Sequence, residues 1–274
     1  MKYILNQDYH IHSSRSLCSG DETWVPERIL QQAEESGLTD ICLTDHHWDE
    51  KVPLLDTAPD DFYRIQNWDH IRTVLPLPQS DKVRFHFGCE IDMDMNYNIG
   101  MSKESMDRFE FIIIPTTHLH MMGLTIDEKH DSTEGRAKVY VERLDALLDK
   151  DLPWHKIGIA HITSALIGKN HRQNFAHHLE ILDSIPDETF ERIFKKIAEL
   201  GAGVELNIFF PKYSEEQLDS VMRPYIIAKK MGCKFYCGSD AHRLKEMAAS
   251  FDRKFKPVVE YLELTEDDKF NPFK

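Results

Sequence analysis

The chain has 274 residues and carries 47 acidic against 33 basic side chains, a formal net charge of −14. A surface this acidic repels the phosphate backbone of DNA and RNA, so a nucleic-acid polymer is not an expected partner, whereas a small anion could still bind beside metal ions. Five scattered cysteines, an odd number, do not suit a disulfide scaffold. The amino-terminal segment turns polar too early for a signal peptide, and no apolar run approaches the ~18 residues of a membrane helix. We therefore expect a cytoplasmic protein that binds no membrane.

Short apolar runs alternate with amphipathic helical patterns along the chain. The first run covers residues 3–12, and the helical pattern after it begins near Pro26 and stops at Gly37. The same order then repeats, with runs at 40–44, 83–90, 109–114, 157–160, 204–207 and 233–238 and helical patterns at about 134–148, 188–200 and 214–231. This alternation predicts βα units around a parallel sheet, and seven runs fit either a doubly wound sheet or a closed barrel.

We expect residues 1–274 to form a single domain, because no stretch has the composition of a flexible linker. Residues 48–82 contain four prolines and no clear period, which predicts an irregular insertion on one face. This insertion and the loop at 164–178 are expected to cover the rim of the site and to set its selectivity. Residues 251–274 are expected to form a C-terminal tail.

Six of the seven apolar runs end in histidine or an acidic residue. The carboxyl ends of parallel strands open on one face of an α/β fold, so these side chains are expected to meet at a common rim. His10 and His12, like Asp240 and His242, are two residues apart, and side chains at that spacing on a strand point the same way. The candidate ligands are His10, His12, His46, Glu90, His118, His161, Asp240 and His242.

This donor set predicts a metal site. A single histidine at a strand end is usually structural, but six strand ends carrying such groups favour metal binding. Imidazole and carboxylate suit Zn, Mn and Fe, which the sequence does not distinguish. Eight donors exceed the needs of one ion, so we expect two or three divalent ions about 3.5–4 Å apart, with Glu90 and Asp240 as bridging carboxylates.

Other polar residues beside these ligands have different interpretations. Asp8 and Asp45 precede candidate ligands and are expected to orient their imidazoles. His47 and His120 adjoin candidate ligands and could bind metal or substrate. Asp92 and Asp94 could orient imidazoles in the same way, but an exposed acidic loop is the favoured interpretation. His177 and His178 are expected at the surface or on the rim.

Five motifs, in this order along residues 3–243, resemble those of the PHP (polymerase and histidinol phosphatase) domain phosphoesterases. They are Asp8-Tyr9-His10-Ile11-His12-Ser13, Leu43-Thr44-Asp45-His46, Gly88-Cys89-Glu90, Ala160-His161 and Ser239-Asp240-Ala241-His242. The resemblance implies a distorted (β/α)7 TIM-like barrel with a trinuclear metal site at the C-terminal ends of the strands. It also implies that the eight candidate ligands above bind the metals, with His118 favoured over His120.

The family usually has a ninth ligand, His or Asp, in the loop after the first strand. Residues 13–21 contain no histidine, so Asp21 is the predicted ninth ligand, with helix capping as its alternative role. The resemblance further implies hydrolysis of a phosphate ester by metal-activated water, with a small phosphomonoester, histidinol-phosphate-like or nucleotide-like, as substrate. Arg15, Arg172 and Arg243 are candidates to contact the phosphate.

Three other functions are weighed against this one. A metal-dependent amidohydrolase also carries a His-x-His on its first strand, but it calls for a bridging Lys or Glu after a middle strand and leaves Thr44-Asp45-His46 unexplained. A non-catalytic metal-binding module would bind the ions without turnover. A nuclease is disfavoured by the net charge of −14. The sequence does not indicate an oligomeric state.

Overall fold

A computed structural model describes residues 1–273 of the chain, which contain eight strands, all paired in parallel. The strands are β1 (Gln7–Ile11), β2 (Asp40–Leu43), β3 (His46–His47), β4 (Arg84–Ile91), β5 (Phe111–Pro115), β6 (Ile157–Ala160), β7 (Gly203–Leu206) and β8 (Lys234–Cys237). Seven of them follow the order β1-β2-β4-β5-β6-β7-β8, and the two-residue β3 continues β2 beside the end of β4.

The sheet curls until its first and last strands meet. The backbone of Ala241, just after β8, accepts a hydrogen bond from His12 N, and the Asp240 N–H donates to His10 O. The result is a nearly closed barrel of seven parallel strands. This confirms the predicted distorted (β/α)7 TIM-like barrel and excludes the open doubly wound sheet.

The described residues form nine α-helices, most of them on the outside of the barrel. They are α1 (Pro26–Glu35), α2 (Phe62–Ile65), α3 (Trp68–Ile71), α4 (Thr133–Leu148), α5 (His177–Asp183), α6 (Asp187–Leu200), α7 (Glu215–Lys230), α8 (Leu244–Ser250) and α9 (Lys256–Tyr261). The four predicted helices correspond to α1, α4, α6 and α7 within about two residues. Gly201 ends α6 at a φ of 79°, where glycine avoids the strain of a side chain. None of the helices in residues 1–273 combines the length and apolarity needed to cross a lipid bilayer.

Large aromatic side chains fill the lower interior of the barrel. Tyr9, Phe111 and Tyr236 pack there edge to face and stacked, with ring centroids 5.2–6.4 Å apart. Gly158 on β6 makes room for them, because a side chain at this position would overlap the rings of Phe111 and Tyr236. The interior is therefore a packed core below the carboxyl ends of the strands.

The segment predicted as a tail forms part of this core. A π-helix, Phe251–Phe255, connects α8 to α9, and the chain then returns to the amino-terminal ends of the strands. The Phe270 N–H donates to Phe235 O at 2.7 Å, and the Phe273 ring meets Tyr9 edge to face. Phe270 and Phe273 thus close the base of the barrel.

The insertion at 48–82 lies at the opposite end, above the carboxyl ends of the strands. It contains α2 and α3, which sequence periodicity did not predict because each is only four residues long. Its Trp48 and Tyr63 form a small apolar cluster with Leu124. This cluster holds α2 over the end of the barrel where the candidate ligands lie.

Candidate metal centre

The first strand brings two imidazoles face to face with two carboxylates. His10 Nε2 and His12 Nε2 lie 3.0 Å apart, because the residues are two apart at the end of β1, His12 directly after its last residue, and both rings point into the barrel. Glu90 Oε2, from β4, is 3.4 Å from His10 Nε2 and 3.2 Å from His12 Nε2. Asp240 Oδ1, after β8, is 3.5 and 3.2 Å from the same two nitrogens. Four donors from three strands therefore face one point.

The remaining predicted ligands surround this point. The ligand atoms within each of four overlapping groups lie within 4.8 Å of one another. The groups are His10, His12 and Glu90; His10, His161 and Asp240; Glu90, His118 and His161; and His12, Cys18, His46 and His242. All eight predicted ligands are thus brought together, and Glu90 is the carboxylate that belongs to two of the groups.

The donor chemistry fits bound cations. Glu90 is buried, and its Oε1 finds no hydrogen-bond partner within residues 1–273; the same is true of Nδ1 of buried His46. Buried polar atoms are normally hydrogen-bonded, so two unpaired acceptors beside further imidazoles indicate that a ligand completes them. Imidazole and carboxylate together suit Zn, Mn or Fe.

The pKa values of the cluster show how protons balance its buried charge. Burial lowers the pKa of His10, but Glu205, Glu90 and Asp240 outweigh burial and raise it well above its usual value. Burial raises the pKa of Glu90, but His46 and His10 outweigh burial and lower it well below its usual value. Burial lowers the pKa of His46 to about 3. Because metal ligation needs neutral imidazoles, cations compete with protons at this cluster.

Glu205 is a buried carboxylate that the sequence analysis missed. Its Oε1 lies 2.5 Å from His10 Nδ1, and its Oε2 accepts from the His161 N–H at 3.0 Å. A carboxylate on Nδ1 fixes the ring and turns Nε2 toward the site. A side chain at Gly238 would overlap Glu205, so this close approach requires glycine. The detectable signal was a charged residue between two apolar ones, Val204 and Leu206, in a predicted strand.

Asp92 plays a similar part for His118. Its Oδ2 lies 2.9 Å from His118 Nδ1, and the Tyr63 hydroxyl donates to the same carboxylate. Asp92 and Asp94 are both buried, so the expectation of an exposed acidic loop is wrong. The loop folds inward because Asp94 accepts hydrogen bonds from backbone N–H groups of its own turn, at Asn96 and Asn98.

The predicted orienting residues contact the cluster through intermediates. Asp45 accepts a hydrogen bond from the Ser16 hydroxyl, which lies 2.9 Å from His12 Nδ1. Asp8 accepts from the Ser239 N–H and fixes the turn that carries Asp240. Asp240 adopts a positive φ of 53°, a conformation that non-glycine residues hold mainly where the surroundings impose it.

Asp21 lies elsewhere. Its carboxylate accepts hydrogen bonds from the N–H and the hydroxyl of Thr23, and within residues 1–273 it belongs to none of the four ligand groups. The carboxylate closes a turn before α1 and does not cap that helix, because the N-cap of α1 is Val25 and it has no side-chain cap hydrogen bond. Cys18, from the same loop, contacts the cluster instead, with its Sγ 2.9 Å from His242 Nε2.

Of His47, His120, His177 and His178, one lines the cavity and three pack elsewhere. The His120 ring lies 5.4 Å from that of His118 and lines the cavity described below. His47 is buried beside Gln66 and outside the four groups. His177 and His178 are buried on α5, so the expectation that they lie at the surface is wrong. The loop before α5 packs over them, which helical periodicity does not reveal.

A cavity of about 530 Å³ opens above the cluster. Its floor is formed by Glu90, Asp240 and the histidines, and its walls by Phe62 and Tyr63 of α2 together with Met121, Leu124 and Leu166. Both segments expected to cover the rim, 48–82 and 164–178, contribute to these walls. The cavity volume is that of a site for a small organic molecule.

The three candidate arginines lie outside this cavity as the structure describes it. Arg15 and Arg172 are exposed, and Arg172 lines a neighbouring cleft. Arg243 is exposed and pairs with Glu246 at 2.9 Å. In the described part of the chain, none of these arginines supplies positive charge to an anion in the cavity. That charge would have to come from cations bound at the cluster.

A parallel β/α barrel with a buried histidine–carboxylate cluster at the carboxyl end of its strands defines the class: a metal-dependent hydrolase. A model of the PHP domain matches residues 8–209. The chain therefore belongs to the PHP domain family, as its motifs predict, and is a metal-dependent phosphoesterase of that type.

Two solved structures are similar over most of the chain. One is histidinol phosphate phosphatase from Lactococcus lactis, complexed with zinc, L-histidinol and phosphate, with a TM-score of 0.58, 17% identity and coverage of 97% of this chain and 98% of that one. The other is a putative histidinol phosphatase from Listeria monocytogenes, with a TM-score of 0.55, 13% identity and coverage of 89% and 98%. At these identities the likeness shows the shared fold. No curated protein matches the chain by sequence.

Proposed function

We propose that the protein hydrolyses a small phosphomonoester, with the phosphoryl group at the cluster and the organic group in the cavity. The observation that carries this proposal is the position of the cluster at the floor of a cavity of about 530 Å³ with largely apolar walls. The phosphoryl group is the anionic end of such a substrate, and the cluster is where cations would bind it. A polymeric substrate would instead require a basic groove, which a net charge of −14 makes unfavourable.

The cluster would bind two or three divalent ions, with Zn, Mn and Fe as candidates. His10 and His12 would hold one ion and His118 and His161 another, with Glu90 and Asp240 as the carboxylates shared between them. His46 and His242 would contribute to a third. Bound there, the ions would lower the pKa of the attacking water and neutralise charge on the phosphoryl oxygens.

The protein itself contributes orientation and a dry environment. Glu205 and Asp92 hold the Nδ1 sides of His10 and His118, so the Nε2 sides point into the cluster. Phe62 and Tyr63 of α2 cover the cluster from above, and the ring of Phe62 lies 5.2 Å from that of His46. Excluding bulk water strengthens every electrostatic contact with the phosphoryl group.

The substrate class is histidinol-phosphate-like or nucleotide-like. Asp60 and Phe62 line the cavity together with apolar Leu166. An acidic and aromatic wall suits an organic group with an aromatic ring or a cationic amine. The Lactococcus lactis neighbour, which holds zinc, L-histidinol and phosphate, supports the first of the two classes.

The test is phosphate release by the zinc-, manganese- or iron-loaded protein from histidinol phosphate, nucleoside monophosphates and other phosphomonoesters. We expect release from at least one of these substrates and none after exhaustive chelation. His10→Ala and Asp240→Ala should abolish release while circular dichroism shows a folded barrel. His155→Ala, which removes an exposed imidazole away from the cluster, is the matched control and should keep full activity. Full turnover in His10→Ala would refute the proposal.

A further inference from the structure

Cys18 lies at the edge of the cluster. It belongs to the loop between β1 and α1, and its Sγ is 2.9 Å from His242 Nε2. Its ligand atom lies within 4.8 Å of those of His12, His46 and His242. The four other cysteines, Cys42, Cys89, Cys233 and Cys237, are buried elsewhere, whereas Cys18 is exposed to the cavity.

The loop is held in place on both sides of Cys18. Two residues before it, the Ser16 hydroxyl donates to Asp45 and also accepts from the His46 N–H. One residue after it, the Ser19 hydroxyl donates to His242 O at 2.8 Å. The position of the thiol is therefore fixed by hydrogen bonds to the two segments that carry His46 and His242.

The histidines around Cys18 are arranged as donors to a shared centre. His242 Nδ1 lies 2.9 Å from Asp240 O, which leaves Nε2 to face Cys18. His46 is buried, only 8% exposed, and its Nδ1 lies 3.1 Å from Glu90 Oε2 without forming a hydrogen bond in the described part of the chain. The ring of His12 lies 4.4 Å from that of His242 and 4.7 Å from that of His46. A thiol and three imidazoles whose ligand atoms all lie within 4.8 Å of one another point to a cation between them.

We propose that Cys18 binds a metal ion as a thiolate, together with His46 and His242, and so completes the outermost metal site. This inference rests on the proposed metal-dependent function and replaces Asp21 as the ninth ligand. On binding, the thiol loses its proton to solvent and forms a sulfur–metal bond. A thiolate is a softer donor than a carboxylate, so this site selects zinc over manganese.

The decisive measurement is X-ray absorption at the zinc edge of the fully zinc-loaded protein. We expect a sulfur scatterer at ~2.3 Å beside the nitrogen and oxygen shell at ~2.0–2.1 Å. Cys18→Ala should lose the sulfur signal and about one zinc equivalent per chain. Asp21→Ala, the matched control from the same loop, should keep both. A spectrum with only nitrogen and oxygen neighbours would overturn the proposal.

Alkylation gives an independent readout that does not depend on turnover. In the chelated protein, iodoacetamide should label one thiol, Cys18, because the other four are buried. Zinc should protect that thiol, and Cys18→Ala should show no label in either state. Equal labelling with and without zinc, in a protein that binds zinc and releases phosphate, would refute Cys18 as a ligand and leave the proposed function intact. Failure to bind zinc at all would refute both.

Discussion

The buried carboxylate of Glu205 positions two imidazoles, those of His10 and His161. One oxygen lies beside His10 Nδ1, and the other accepts a hydrogen bond from the His161 backbone N–H. Glu205, on β7, therefore contacts both the end of β1 and the end of β6. The carboxylate also contributes the largest favourable charge to His10, raising its pKa against the effect of burial. Glu205 is therefore a positioning residue, because it acts on the site through the histidines.

Glu205→Gln should weaken metal binding and lower kcat by about 10- to 100-fold, the usual cost of losing a carboxylate behind a ligating imidazole. The isosteric amide keeps the volume but loses the charge. Metal titration and kcat measured at saturating metal separate the two effects. Glu199→Gln, on the exposed face of α6, is the control and should match the wild type. Unchanged metal affinity in Glu205→Gln would show that the carboxylate does not orient the ligands.

At the scale of elements, α2 connects the insertion to the site. Phe62 packs edge to face on His46, and the hydroxyl of neighbouring Tyr63 donates to Asp92, which in turn contacts His118. The short helix thus touches two candidate ligands and forms one wall of the cavity. Its side chains lie where the organic part of a substrate would bind.

Phe62→Ala should raise KM about tenfold and leave metal content unchanged, since it removes roughly 1.4 kcal/mol of apolar contact with the substrate. Steady-state kinetics on the best substrate from the panel, with metal analysis of the same sample, measures both quantities. Ile65→Ala, at an exposed position of the same helix, is the control and should leave KM unchanged. A fall in kcat with constant KM would mean that Phe62 acts on the chemistry and not on substrate binding.

Sequence patterning predicted most elements and the eight candidate ligands that the barrel brings together. The alternation of runs and helices locates every strand except the two-residue β3, and the carboxyl ends of the strands are where a parallel barrel gathers side chains. Glu205 was missed because it lies within a strand and not at its end. Its partners, His10 and His161, become apparent only when β1 and β6 are placed in the barrel. Cys18 was missed because its position depends on the fold of the loop after β1, which has no period. The role of α2 was missed for the same reason.

At the scale of the whole molecule, metal binding is expected to affect the stability of the fold. Glu90, Glu205, Asp92 and Asp240 lie together among the imidazoles, in a chain with a net charge of −14. Cations would bind this cluster only in the folded state, because its donors come from strands far apart in the sequence. We therefore expect metal binding to be coupled to folding.

Removing metal with a chelator should lower the unfolding temperature as well as abolish activity. A ligand at 100 times its dissociation constant stabilises the folded state by about 2.7 kcal/mol, so the shift should amount to several degrees. Thermal unfolding with and without chelator tests this, and His155→Ala should respond like the wild type. Asp240→Ala should respond less. Identical melting curves in the wild type would contradict the coupling.

The opposite end of the barrel depends on the last described residues. Phe270 is only 6% exposed and packs against Phe111 and Tyr236. Phe270→Ala should lower the free energy of unfolding by about 3–5 kcal/mol, because it leaves a cavity in the core. Denaturant unfolding of the metal-loaded protein measures this loss. Phe251→Ala, at a more exposed aromatic position, is the control and should cost much less. An equal loss in the two variants would refute the role of Phe270 in closing the base.

Both ends of the described chain lie at that base. Lys2 pairs with Thr265, and Met1 O accepts from the Glu266 N–H. Met1 is 93% exposed, whereas Phe270 is enclosed, so the two ends are not equivalent as points of attachment. Immobilising the molecule through Met1 would direct the cavity mouth away from the support and leave Phe270 and Phe273 undisturbed. Coupling through the residues that follow Phe273 would instead strain the aromatic side chains that close the base of the barrel.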